Sequence, residues 1–175
     1  MKFLAHLEQK RKAILKRWYS LIIESYPPDV SSFLISETDR FANPVGHTIR
    51  AGIEILFNEV CHGMNHDRII AALDSIIRIR AVQDFTPSEA LASVGMLKDA
   101  VQEEFKDSGF DLQSSLALSE GFLQLQKRID DLSSLAAEVY KRCGDDIHRI
   151  KTRETNSGWA LATHRKRVMR SREDR

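Results

Sequence analysis

The sequence predicts an all-α protein, a bundle of five or six helices with a long helix at its C-terminal end. Apolar residues recur every three or four positions along most of the chain, which is typical of helices with one buried face. No segment alternates apolar and polar residues as a half-buried strand does. The chain has 175 residues, 42% hydrophobic and 29% charged, so one domain can bury a core without disulfides or metals.

The first predicted helix starts near Phe3 and ends before Tyr26-Pro27-Pro28. A short helical turn is expected at residues 31–35, followed by an irregular connection at 36–42. Asn43-Pro44 then begins the next helix, because asparagine caps the first turn and proline at the first helical position gives up no useful N–H.

That helix is expected to end near Gly63, and Asp67 is expected to cap a further helix that runs to about Val82. Residues 86–89, Thr-Pro-Ser-Glu, form a capping box with proline at the first helical position. They predict a helix that begins at residue 87 and breaks at Gly109.

Residues 112–142 are predicted to form the long helix, which ends at Gly144, with a short helix after it. Apolar residues spaced alternately four and three apart form a heptad pattern. The flanking positions lack the opposed charges of a two-stranded coiled coil, so a core helix is favoured, and dimerisation through its distal half stays open. The heptad residues are Leu118, Phe122, Leu125, Ile129, Leu132, Ala136, Val139 and Cys143.

Charge divides the chain into a body, residues 1–150, and a basic tail, residues 151–175. The net charge of +1 hides eight basic against three acidic residues in the tail (+5) and a body of −4. The tail suits docking on an acidic protein, a membrane surface or nucleic acid, with solvated disorder as the alternative. The tail residues that would bind a partner are Trp159, Arg165, Lys166, Arg167, Arg170 and Arg172.

Sequence signatures of catalysis are missing, since the chain has no glycine-rich phosphate loop, GxSxG or HExxH motif, and no enzyme is expected. His62 and His66 stand four apart beside Cys61, but helix breakers separate them, so no metal site is predicted. No cofactor is expected either, although His47 could ligate haem in a globin-like fold. The charged N-terminal stretch and the lack of a long apolar run favour a cytoplasmic protein.

Two polar stretches, residues 39–47 and 78–88, lead into proline-started helices and could together line a polar or anion-binding pocket. Arg80 falls on the apolar face of its helix, where an unpaired guanidinium is costly, so Asp84 or Asp39 should pair with it. Such a pair would either fix helix packing or belong to a ligand site. The candidate pocket residues are Asp39, Arg40, Asn43, His47, Arg78, Arg80, Gln83 and Asp84.

The strings "RFANPVG", "IRAVQDFTPSEA" and "RWYSLIIESYP" resemble the N-terminal domain of the RsbT co-antagonist RsbRD family, over about residues 10–105. The resemblance implies an all-helical sensory or regulatory domain of bacterial signalling. Related stressosome proteins carry non-haem globin-like N-terminal domains and dimerise through them. The STAS output domain of the co-antagonists has no counterpart in this sequence, so kinase binding and phosphotransfer are not implied.

We therefore expect a non-enzymatic cytoplasmic sensor or adaptor of stress-response signalling that acts through protein–protein interaction, as a homodimer. One alternative is a haem- or cofactor-binding redox or gas sensor. Another is an accessory protein of a respiratory or sulfur-metabolism complex. Binding of the tail to nucleic acid or to an acidic membrane surface is less favoured than binding to a protein.

Overall fold

The computed structural model describes the backbone of residues 2–83, 85–107 and 116–173, and the side chains of residues 3–83, 85–106, 120–146, 149 and 152. Seven α-helices and no strand occur among these residues, which confirms the all-α fold class. The helices are α1 (Lys2–Gln9), α2 (Arg11–Glu24), α3 (Pro28–Ser36), α4 (Pro44–Asn58), α5 (His66–Val82), α6 (Pro87–Asp107) and α7 (Leu116–Glu173).

The helix count exceeds the predicted five or six because the first predicted helix is two. At Lys10 the backbone leaves helical geometry, with φ −93° and ψ 0°, and separates α1 from α2. The turn predicted at 31–35 is part of a longer helix, α3, which has a proline in its first turn. The hydroxyls of Ser31 and Ser32 both donate to the Pro28 carbonyl within this helix.

Both helix starts that the sequence marks with a cap and a proline are confirmed. At α4, the side-chain oxygen of Asn43 accepts from the Gly46 amide at 2.7 Å. At α6, the Thr86 amide donates to the Glu89 carboxylate at 2.9 Å, and the Glu89 amide donates back to the Thr86 hydroxyl at 3.3 Å. These are the reciprocal bonds of a capping box.

After α4 the chain continues into a π-helical turn, Glu59–Gly63, which ends at Met64 in the left-handed conformation (φ 48°). The predicted cap of the next helix, Asp67, is wrong. Asn65 caps α5 instead, since its side-chain oxygen accepts from the Arg68 amide at 3.1 Å.

The predicted end of the long helix at Gly144 is also wrong, because α7 continues to Glu173 and includes the short helix expected after that glycine. An interior glycine costs a helix about 1 kcal/mol relative to alanine, which a long helix tolerates. The break predicted at Gly109 and the start predicted near residue 112 lie outside the described residues.

The chain forms two compact units, Met1–Tyr140 and Lys141–Arg175. The second consists of the distal part of α7. The boundary predicted at residue 150 is ten residues beyond this division and stays a prediction.

In the first unit, α2 packs on α4 and α6, and α4 packs on α5. Trp18 is fully buried, and its indole N–H donates to the Ser93 carbonyl at 2.7 Å. The proximal part of α7 is a core helix, as predicted. Its buried residues in this unit are Leu125, Ile129, Leu132, Ala136 and Val139.

Candidate functional site

The predicted pocket residues lie at two separate helix connections of the first unit. Asp84 lies outside the described residues. The connection between α3 and α4 and the start of α4 hold Asp39, Arg40, Asn43 and His47, and the end of α5 and its C-cap hold Arg78, Arg80 and Gln83.

Five of these residues are exposed: Asp39, Arg40, His47, Arg78 and Gln83. His47 lies in the first turn of α4. The guanidinium of Arg78 pairs one turn away with the Asp74 carboxylate, with Nη2 at 2.9 Å from Oδ1. The haem alternative, which depends on His47, stays a prediction.

The connection between α3 and α4 is fixed by hydrogen bonds to one backbone carbonyl, that of Leu34. It accepts from the Tyr19 hydroxyl at 2.7 Å, the Asn43 side-chain amide at 3.1 Å and the Arg50 guanidinium at 3.3 Å. The guanidinium of Arg50 also lies over the Tyr19 ring, 4.2 Å from its centroid. Asn43 is therefore both a helix cap and a link between α3 and α4.

Arg80 occupies the centre of the second connection, which we call the Arg80 junction (Ser25, Tyr26, Arg80, Gln83, Phe85 and Glu89). Its side chain is fully buried. Nη2 donates to the Ser25 hydroxyl at 2.9 Å and to the Glu89 carbonyl at 3.3 Å. The guanidinium carbon lies 3.9 Å from the Phe85 ring centroid and 5.3 Å from that of Tyr26. These contacts join the ends of α2 and α5 to the start of α6.

Asp39, one of the two carboxylates predicted to pair with Arg80, is not its partner. The Asp39 carboxylate accepts from the amides of Phe41 and Ala42, at 2.7 and 3.0 Å, and closes its own turn. The carboxylate of Asp39 already has hydrogen-bond partners within its own turn, as aspartates in turns often do. Sequence spacing alone did not show that these local bonds take the place of a pair with Arg80.

Among the described residues, Nε and Nη1 of Arg80 have no hydrogen-bond partner. Burial lowers the pKa of the guanidinium, against the opposing influence of Tyr26. Aromatic faces attract a cation and compensate for part of the lost hydration. The junction thus holds a buried charge mainly between rings, which makes its geometry sensitive to any change of that side chain.

A cleft of about 430 Å³ adjoins the junction and is lined by Ser25, Tyr26, Gln83, Phe85 and Glu89, among others. The Tyr26 hydroxyl donates to the Gln83 side-chain oxygen at 3.0 Å, and burial raises the pKa of Tyr26. At neutral pH the lining therefore offers a neutral phenol and aromatic rings.

Two polar contacts of α7 were not predicted from the sequence. The Tyr140 hydroxyl donates to the carbonyl of Phe85, at 3.0 Å, and so ties α7 to the Arg80 junction. Arg128 donates from Nη1 to the carbonyls of Val60 and Cys61, at 2.6 and 3.2 Å, in the π-helical turn. The acceptors are backbone carbonyls, which every residue carries, so residue type gives no signal for them.

The histidines beside Cys61 do not converge with it on a common centre. His62 contacts Glu8, with Nε2 2.9 Å from Oε1, and His66 contacts Asp67 at 3.6 Å. Burial raises the pKa of the Cys61 thiol to about 12. Within the described part of the chain, no three or more His, Cys, Asp or Glu side chains are grouped to hold a metal ion.

The basic tail is helical in its backbone to Glu173, as the distal part of α7. The side chains of its predicted partner-binding residues, Trp159 to Arg172, lie outside the described residues. Docking through the tail stays a prediction. Among the described residues, no helix contains a stretch long and apolar enough to cross a membrane.

Together, the fold and the site define a helical-bundle domain whose last helix is bonded to a buried polar junction. The chain belongs to the family described as the RsbT co-antagonist protein RsbRD N-terminal domain, whose model matches residues 12–155. The match extends beyond the resemblance at residues 10–105 and includes much of α7. The family places the chain in stress-response signalling. Comparisons with curated proteins and with solved structures found no match.

Proposed function

We propose that this chain is a non-enzymatic, cytoplasmic sensor or adaptor domain that acts by binding a protein partner, with α7 as its output element. Membership of a family named for a co-antagonist of a signalling protein supports a role in protein complexes. In this proposal the Arg80 junction sets the position of α7, and the distal part of α7 meets the partner.

The contact between Tyr140 and Phe85 carries the proposal. The same residue, Phe85, lies under the guanidinium of Arg80 with its ring and accepts from Tyr140 with its carbonyl. A shift of α5 relative to α6 would therefore change the position of α7 at Tyr140. Further along the unit, Lys98 of α6 contacts Asp130 of α7 at 2.6 Å, so α7 is bonded both to α6 and to the connection that precedes it.

A homodimer is part of the proposal and is supported by apolar side chains that the first unit leaves exposed. Leu123 of α7 is 62% exposed and Leu4 of α1 is 38% exposed, near the point where Phe122 packs against Phe3. Leu4 and Leu123 each directly follow one ring of this pair in the chain, and the proposal takes them as one interaction surface. Sedimentation of the wild type as a dimer, and of Leu123→Glu as a monomer, would support this part, whereas a wild-type monomer at all concentrations would contradict it.

Affinity capture from native extract tests the central proposal. The full chain is compared with a matched full-length variant in which the basic residues from Arg165 to Arg172 are replaced by glutamine. We expect one stoichiometric protein partner, whose binding weakens with salt and is lost in the variant. Absence of any stoichiometric partner would contradict the proposal. Capture of DNA with a steep salt dependence would contradict it as well, in favour of nucleic-acid binding.

A further inference from the structure

A second cleft, of about 410 Å³, lies between α2, α3 and α4, and we call it the α2–α4 cleft. The apolar part of its lining consists of Leu15, Ile35, Ile53 and the ring of Tyr19. Ile53 and Tyr19 belong to the core, whereas Ile35 is 53% exposed. Cavities of about 300–1,000 Å³ with mostly apolar walls and a few polar groups are typical ligand sites.

The polar part of the same lining is mainly basic. Lys12 and Lys16 lie one turn apart on α2, and Arg50 faces the cleft from α4. None of the three forms an ion pair with a carboxylate among the described residues. The one acidic residue of the lining, Glu54, has its carboxylate 3.7 Å from the guanidinium of Arg11. The cleft therefore presents uncompensated positive charge beside apolar surface.

Arg50 is already held in place. Its Nη2 donates to the Leu34 carbonyl at 3.3 Å, and its guanidinium lies over the Tyr19 ring. A guanidinium has five N–H donors, so most of them stay available to a ligand. A side chain ordered before binding loses little further entropy when a carboxylate arrives. Burial raises the pKa of Tyr19, so this ring stays neutral and does not repel an anion at neutral pH.

We propose that the α2–α4 cleft binds an amphiphilic monocarboxylate, a molecule with an apolar chain or ring and one carboxylate. The apolar body packs on Leu15, Ile35 and Ile53, and the carboxylate meets Arg50 with Lys16 beside it. A guanidinium matches the two oxygens of a carboxylate in a bidentate geometry. The inference rests on the proposed sensor role for its biological meaning. It adds to that role the chemical class of the molecule that the sensor binds.

Titration calorimetry of the full chain with three matched probes tests the inference. Octanoate has both halves of the proposed ligand, octanol lacks the carboxylate, and acetate lacks the apolar chain. We expect saturable one-to-one binding of octanoate and at least about tenfold weaker binding of the other two, since each lacks one set of contacts. Lys16→Glu should weaken octanoate about tenfold, whereas Lys127→Glu, an equal charge change at an exposed site on α7, should leave it unchanged.

Equal affinities for octanoate and octanol would overturn the inference, as would equal effects of the two charge reversals. Binding to vesicles rich in phosphatidylglycerol, but not to phosphatidylcholine vesicles or to octanoate, would also overturn it and show a membrane-contact surface instead. The outcome is separable from that of the proposed function. Octanoate binding without any stoichiometric partner would contradict only the signalling role, and a partner without octanoate binding would contradict only this cleft.

Discussion

Charge reversal at Arg80 is expected to cost the fold several kcal/mol, because its guanidinium is fully buried at a junction of three helices. Arg80→Glu removes two hydrogen bonds, worth about 1 kcal/mol each. It also removes the attraction to two aromatic faces, worth about 1–2 kcal/mol in all. An uncompensated carboxylate then takes the place of the cation, and a buried charge left unpaired typically costs about 3–5 kcal/mol with the lost contacts included.

We expect Arg80→Glu to lower the free energy of unfolding by about 3–5 kcal/mol in total. Urea unfolding followed by circular dichroism at 222 nm measures this change. In a thermal scan it corresponds to a fall in Tm of about 6–20 °C for a chain of this size. Arg80→Met keeps much of the buried volume and leaves no charge, so we expect a smaller loss of about 1–2 kcal/mol from the missing hydrogen bonds.

Arg78→Glu is the matched control, because it makes the same change two residues away on an exposed side chain. It breaks an exposed pair with Asp74, and such pairs contribute about 0.3–0.5 kcal/mol. We expect a loss below about 1 kcal/mol. Equal losses for the two glutamate variants, or an unchanged unfolding midpoint for Arg80→Glu, would refute the burial argument.

Three substitutions and one labelling experiment test the helix caps and the core. A Cβ at Gly46 would lie 2.5 Å from a side-chain atom of the α4 cap, so Gly46→Ala should lower the free energy of unfolding in urea by about 1–3 kcal/mol. Gly95 has open space around it, so Gly95→Ala should raise the free energy of unfolding by up to about 1 kcal/mol. The reverse order of stability would contradict the packing. The pKa of the Cys61 thiol is raised to about 12, so this residue should resist labelling by maleimide at pH 8 until the chain unfolds. Peptide mapping by mass spectrometry measures the labelling. Rapid labelling of Cys61 in the native protein would disprove its burial. Thr86→Ala should cost about 1 kcal/mol at pH 7. Hydrogen bonds from Thr86 lower the pKa of Glu89, so the stability they add is present above the ordinary glutamate pKa and is lost as pH falls through the lower folded value. The difference in unfolding free energy between Thr86→Ala and the wild type should therefore shrink toward about pH 3. A difference that stays constant with pH would contradict the capping box.

Local signals predicted the parts of the fold that local chemistry decides. The starts of α4 and α6 followed from Asn43-Pro44 and from the Thr86 capping box, since both motifs satisfy helix termini with neighbouring residues. The burial of Arg80 followed from helical periodicity alone.

What the sequence did not show depends on backbone conformation or on distant backbone acceptors. The separation of α1 from α2 rests on the dihedral angles of Lys10, and lysine is a good helix former. Gly144 was expected to end a helix that instead continues. The candidate site is organised by the carbonyls of Leu34 and Phe85, which residue identity cannot reveal.

The link between the Arg80 junction and α7 is tested most directly by the affinity of the full chain for its captured partner, measured for the wild type and for Tyr140→Phe. This variant removes the hydroxyl that donates to the Phe85 carbonyl and leaves the ring. One hydrogen bond contributes about 0.5–1.5 kcal/mol, so we predict a change in partner affinity of about two- to tenfold. An unchanged affinity, in a variant whose unfolding free energy shows that the hydrogen bond is lost, would contradict the account.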